Sequence, residues 1–289
     1  MIESMLSSKK FFTAWNLRGI LLWVVLPLIA GTLLSFFIRQ PLIGVIHLTD
    51  AIYNLSAQDM IAQISYARQH PEIKAVVLVI DSPGGTVADT EAVYMELVRL
   101  RQTKPVITVV DGMAASGAYY LAVGTDYILA KPNSTVGSVG VYSALPKYPL
   151  VVDDVYSTGP YKLWGSSRDT TVREIEVAKQ GFLQAVKLGR AKVLKAPDEI
   201  ILSGQVWNGV ESLKLGLVDE IGSLSQAYEK AATIARIAHY RAEDLRVLAG
   251  LPERTSEQFF LTSSEGILTP YPAKAGIYYL YVPPIERLP

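Results

Sequence analysis

A chain of 289 residues, half of them hydrophobic and 19% charged, is long enough to bury a substantial core. Lys plus Arg and Asp plus Glu number 27 each, so the formal net charge is zero, and the scattered basic residues form no stripe suited to a nucleic acid. The absence of cysteine excludes disulfides, thiolate metal sites and a cysteine nucleophile.

Residues 19–38, GILLWVVLPLIAGTLLSFFI, form an uncharged apolar run of twenty residues, enough for a helix to cross a hydrocarbon core. Pro27 is tolerated in such a span. A cleavable signal peptide fits less well, because the run is long and its exit, SFFIRQP, lacks a small-x-small cleavage site. Lys9, Lys10 and Arg18 precede the run and Arg39 is the only basic residue close after it. The positive-inside rule then puts residues 1–18 in the cytoplasm and everything after about residue 40 on the extracytoplasmic side of the cell membrane.

The following segments alternate in period. Residues 42–48, LIGVIHL, read as a strand, and residues 52–69 as a helix ending before Pro71. Residues 73–80, IKAVVLVI, read as a strand covered on both faces. DSPGG at residues 81–85 follows directly, and residues 87–101 resume helical spacing. A double glycine between a buried strand and a helix is a tight turn that can also aim backbone N–H groups into a cleft, as an oxyanion hole requires. Phosphate binding is disfavoured, because neither GxGxxG nor GxxxxGK[ST] is present.

Residues 105–110, PVITVV, are a further buried strand leading into DGMAASGAYYLA. Ser116 stands there among small residues at a predicted helix N-terminus, so it is either a helix cap or an accessible nucleophile. A nucleophilic alcohol needs a base. His47, His70 and His239 sit in ordinary strand, turn and helix settings, which leaves a Ser-His-Asp triad unsupported. A lysine serves as base where desolvation lowers its pKa from ~10.4. Lys162, in STGPYKLWGSSRD, has the most apolar and glycine-rich surroundings, whereas Lys131 and Lys147 lie in exposed-looking proline turns. A snorkelling surface lysine is the alternative reading of Lys162.

DSPGG, MAASGAYYLA with GSVGV after it, GPYK, and LSGQVWNGVESLKLGLVDEIGS together resemble the signal peptide peptidase, SppA-type, serine protease family over residues 43–222. The resemblance implies an α/β, Clp-protease/crotonase-like fold of repeated ββα units after one N-terminal transmembrane helix. It also implies a Ser-Lys dyad of Ser116 and Lys162, an oxyanion hole from the N–H groups of Gly85 and Gly117, and a lysine-orienting hydroxyl on Ser138. No cofactor or metal is implied. The expected partners are peptide substrates such as signal peptides or membrane protein fragments, the membrane, and further copies of the chain in a homo-oligomer. Ala118, Asn208 and Ser212 depart from the family's usual residues without removing a catalytic group.

Helical spacing returns over residues 171–194, where Arg168 and Arg190 fit structural or solvated roles. The peptidase domain is expected over residues 42–245 and a C-terminal extension over 246–289. Within the extension, residues 275–282, AGIYYLYV, fit a strand added to a sheet edge, an oligomer contact, or a segment lying in a peptide groove. The functional expectation is a membrane-anchored serine endopeptidase degrading apolar peptides such as cleaved signal peptides. Alternatives are a membrane-bound Clp-like peptidase with a specific membrane protein substrate and a catalytically silent oligomeric scaffold. An acyl-CoA enzyme is disfavoured by the external topology.

Overall fold

The computed structural model describes residues 21–35, 40–144, 167–252, 259–262 and 268–283, together with Gly19, Thr158, Gly159 and Lys162. It divides into two units, Met1–Gln40 and Pro41–Pro289. In the first, a π-helical turn, Leu21–Val25, runs into helix α1, Leu26–Ser35. Of the helix expected over 19–38, the described residues show 21–35 as continuous helix whose first part is a π-helical turn just before Pro27, where the missing N–H removes a regular helical bond, and residues 20 and 36–38 lie outside the described residues. Among the described residues no helix is long and apolar enough to cross a membrane. Trp23 is nevertheless 83% exposed, and Leu22, Leu26, Leu28 and Ile29 are likewise exposed.

The second unit opens with β1 (Leu42–Leu48), α2 (Asn54–Gln69), β2 (Ile73–Ser82), β3 (Gly84–Thr86) and α3 (Val87–Arg101). There follow β4 (Val106–Ala115), α4 (Gly117–Val123), β5 (Tyr127–Ala130), β6 (Thr135–Gly137), β7 (Tyr142–Ala144) and α5 (Arg168–Arg190). The closing part holds α6 (Asp198–Ile201), β8 (Val206–Trp207), α7 (Gly209–Leu215), β9 (Glu220–Ile221), α8 (Leu224–Ala235), β10 (Arg241–Asp244) and α9 (Leu245–Leu248). Three strands remain: β11 (Phe260–Thr262), β12 (Leu268–Pro272) and β13 (Gly276–Leu280).

The central sheet runs β10-β1-β2-β4-β5-β9 with every neighbour parallel. Beyond it, β6 pairs in parallel with the end of β4, and β8 pairs antiparallel with β6. This mixed α/β architecture with a mostly parallel sheet fits the Clp-protease-like class, and β2, β3 and α3 make one ββα unit. The continuous apolar run of β2 has its cause here. Val76, Leu78 and Ile80 enter the core beneath α2, α3, α4 and α5, while Ala75, Val77 and Val79 face a second cluster with Ala227, Ala231 and Ala232 of α8.

Two boundaries differ from expectation. Strand β4 continues through Ala115 because Met113, Ala114 and Ala115 find partners in Thr135, Val136 and Gly137. The small residues before Ser116 are therefore strand, and the helix begins after it. At the C-terminal end, β13 is the middle strand of a separate three-stranded sheet, β3-β13-β7, and so does not lie on an edge.

An ion pair with a buried guanidinium locks the closing segment to this frame. Arg190 on α5 donates from Nη1 and Nη2 to Asp219 at 2.7 and 2.9 Å, and from Nε to the Gly216 carbonyl at 3.0 Å. Asp219 also accepts the Ile128 N–H at 2.8 Å, and the Tyr119 hydroxyl donates to the Leu217 carbonyl at 2.9 Å. Residues 216–219 thus tie together α4, α5 and β5. Burial pushes the Tyr119 phenol far above its ordinary range. Because the guanidinium is 3% exposed and the carboxylate 13%, removing Arg190 leaves a largely desolvated carboxylate without its partner. Arg190→Ala is predicted to cost about 3–5 kcal/mol in denaturant unfolding; a loss below about 1 kcal/mol would contradict this role.

Candidate active site

Strand β4 ends at Ala115 directly opposite Gly137 of β6, and the next residue on each strand is a serine. Ser116 has φ 55° and ψ −120°, and Ser138 has φ 54°. Among the described residues only one other non-glycine, Arg236, has positive φ. The Ser116 N–H donates to the Gly137 carbonyl at 2.7 Å, and the Ser138 N–H to the Gln205 carbonyl at 2.8 Å. Both serines are buried, and sparsely populated backbone of this kind costs about 1–3 kcal/mol per residue.

The cap reading of Ser116 therefore fails in its chemistry. The residue occupies the cap position of α4 and its carbonyl accepts the Tyr120 N–H at 2.9 Å, yet its side chain makes no cap hydrogen bond. Favourable caps use extended backbone and lend their oxygen to the helix. This hydroxyl is left uncommitted.

The DSPGG turn comes up against the same point. Gly84 has φ 95°, and a Cβ there would lie 2.6 Å from the Gly117 nitrogen and clash with the Tyr279 carbonyl. A Cβ on Gly117 would lie 2.8 Å from Thr90 Oγ1, 3.0 Å from the Tyr279 oxygen and 3.3 Å from the Gly85 nitrogen. The Gly85 and Gly117 N–H groups, both expected as oxyanion donors, thus flank one small space beside Ser116. Only glycine lets the two backbones come this close. Thr90 Oγ1, at the edge of that space, is buried without a hydrogen-bond partner.

Lys162 is not brought to this cluster within the single chain. Its side chain is exposed, its N–H donates to the Gly159 carbonyl at 3.1 Å, and no hydrogen bond joins it to Ser116 or Ser138. Residues 160–161 and 163–166 around it lie outside the described residues, as does Lys147. Lys131 is held in an ion pair with Asp111 at 2.5 Å. His70 stacks on Tyr66 with its Nδ1 2.8 Å from the Tyr66 carbonyl, His47 is exposed on β1, and His239 lies in the turn after α8 rather than in a helix. None of the three bonds to Ser116. Of the unusual residues, Asn208 caps α7 in a reciprocal pair with Glu211, Ala118 is buried in the core, and Ser212 is buried with an unpartnered hydroxyl.

Sequence reasoning offered a strand over residues 275–282 but not its partners, which set it beside these groups. The β13–β3 register sets Tyr279 against Gly85, and the Tyr281 N–H donates to the Pro83 carbonyl at 2.8 Å. By the alternation of an antiparallel ladder, Tyr279 and Gly85 also exchange hydrogen bonds. The three aromatics of IYYLY mark a strand, but nothing local names its partner nearly two hundred residues earlier.

Comparisons with known proteins agree with this geometry. The model of Peptidase family S49 matches residues 98–238, and that of Clp protease matches residues 38–136. Protease 4 of Salmonella typhi is 31% identical over 204 residues, covering 66% of this chain and 33% of its own length. Protease 4 of Haemophilus influenzae is 35% identical over 188 residues, with 60% and 30% covered. The chloroplastic serine protease SPPA of Arabidopsis thaliana is 30% identical over 195 residues, with 63% and 29% covered. The chain spans about a third of the length of these relatives. The chain is thus similar to SppA-type serine proteases and to peptidase family S49.

The strain at Ser116 has a measurable sign. Ser116→Gly places a residue that accepts this backbone freely, and is predicted to stabilise the fold by about 1 kcal/mol in denaturant unfolding. A loss of stability would contradict the strained geometry.

Proposed function

We propose that the chain is a membrane-anchored serine endopeptidase in which Ser116 is the nucleophile and Lys162 its base. The observation that carries this reading is the strained, buried Ser116 with its uncommitted hydroxyl beside the N–H groups of Gly85 and Gly117. Lys162 accepts the Ser116 proton as Oγ attacks a peptide carbonyl, and the backbone donors hold the oxyanion. The lysine then protonates the departing amine, and water, deprotonated by the same lysine, hydrolyses the acyl-enzyme. Ser138, level with Ser116 on the neighbouring strand, orients the lysine amine.

The exposure of Lys162 in a single chain supports a dyad completed across the interface of a homo-oligomer. The uncovered apolar surface of residues 22–29 supports an anchor over residues 19–38, with the N-terminus cytoplasmic and the peptidase domain extracytoplasmic. An anchored site meets apolar peptides left in the bilayer, such as cleaved signal peptides, at high local concentration.

Ser116→Ala is predicted to abolish hydrolysis of an apolar peptide by the full chain, and Lys162→Ala to lower kcat/KM by at least about 10²–10⁴-fold. Mixing the two inactive variants restores activity if the dyad crosses subunits. Turnover retained by Ser116→Ala would overturn the assignment, and a mixture that stays inactive would confine the dyad to one chain.

A further inference from the structure

Thr90 carries a buried hydroxyl that the dyad and its backbone donors leave unused. It stands near the start of α3, a few residues after the DSPGG turn, and is fully buried. Threonine inside a helix ordinarily lends its hydroxyl to the carbonyl three or four residues earlier. Thr233 of α8 does so toward Glu229 at 2.8 Å, and Thr171 of α5 toward Ser167 at 3.3 Å. Thr90 makes no such bond, and its Oγ1 has no hydrogen-bond partner of any kind. Keeping a hydroxyl both desolvated and unpaired is costly to a fold, so its direction calls for a reason.

That direction is toward the site. Oγ1 lies 2.8 Å from where a Cβ on Gly117 would stand, and the Gly85 nitrogen lies 3.3 Å from the same point. Oγ1 therefore borders the space flanked by the two proposed backbone donors. The other two buried hydroxyls without partners, on Tyr142 and Ser212, are not among the atoms nearest Gly84, Gly85 or Gly117. A planar carbonyl group already stands at this space, since the Tyr279 oxygen is 3.0 Å from the same point, yet Thr90 forms no bond to it.

Building on the proposed peptidase activity, we infer that Thr90 is a further catalytic residue, whose hydroxyl is a third oxyanion donor engaged in the tetrahedral state and not by the planar carbonyl. As Ser116 Oγ bonds to the carbonyl carbon, the π pair of the C=O bond settles on its oxygen and the serine proton passes to Lys162. The carbon becomes tetrahedral, and its oxygen leaves the former carbonyl plane with a full charge. The free O–H of Thr90 donates to it there. A donor engaged only at this stage raises kcat and leaves substrate affinity alone, and an uncommitted hydroxyl held by the fold needs no reorientation at the moment of reaction.

The test uses the full chain in detergent with an apolar peptide substrate. Thr90→Val keeps the branched shape without the hydroxyl, and is expected to lower kcat by about 10²-fold with KM changed by less than about twofold. Thr90→Ser keeps a hydroxyl, and is expected to hold kcat within about tenfold of the unmodified chain. A peptide aldehyde, to which Ser116 adds to give the same tetrahedral oxygen, should bind Thr90→Val more weakly by about the factor lost in kcat. The denaturation midpoint of Thr90→Val should not fall, because the hydroxyl it removes is unpaired. Unchanged kcat in Thr90→Val, a Thr90→Ser variant as slow as Thr90→Val, unaltered aldehyde affinity, or a lowered midpoint overturns this inference while leaving the peptidase reading intact. No hydrolysis of any peptide by the unmodified chain counts against both.

Discussion

The hydrogen bond from the Ser116 N–H to the Gly137 carbonyl is the constraint on which the site depends. It closes the β4–β6 ladder one residue past the last paired position and so forces two successive strand ends to turn side by side. Each turn is taken by a serine in a backbone conformation that serine adopts only under compulsion. The compulsion comes from the buried sheet behind them, in which β2 and β4 are covered on both faces. A soft frame would let Ser116 relax into an ordinary helix cap, and its hydroxyl would be spent on the helix.

The glycines answer a second constraint. Gly84, Gly85 and Gly117 are small because backbone from three places converges on them: Ile52 from the β1–α2 connection, the first turn of α4, and Tyr279 from the far end of the chain. A methyl group at any of the three would meet main-chain atoms, which cannot swing away as a side chain can. Close approach of peptide groups to one another thus leaves N–H donors beside the serine without any polar side chain having to be buried for the purpose. The ion pair of Arg190 and Asp219 supports this arrangement from behind, because it holds α5, and with it Phe182 and Ala178, against α4.

Much of this was legible in the sequence where the signal is local. β1 and α3 fall on the residues expected, since apolar runs and 3.6-residue spacing are set within each segment. Ser116 stood out as a lone hydroxyl among small residues, whereas Gly85, Gly117 and Ser138 were named because their motifs resemble those of the SppA-type family. What stayed hidden was set by distant partners. The extension of β4 through Met113–Ala115 depends on β6, and the place of β13 depends on strands β3 and β7. Hydropathy registers the apolar run before Ser35 but not the π-helical turn that precedes Pro27 in it. Lys162 shows the limit most clearly, since the apolar composition around it describes its neighbours in sequence and not what lies against it in an assembly.

The central claim is that Ser116 is an activated nucleophile, and active-site labelling tests it most directly. The full-length chain would be treated with a fluorophosphonate probe and the modified residue mapped by peptide mass spectrometry. A single adduct on Ser116, absent from Lys162→Ala, is the predicted result. Failure of the intact protein to label, or an adduct on any other serine, would contradict it.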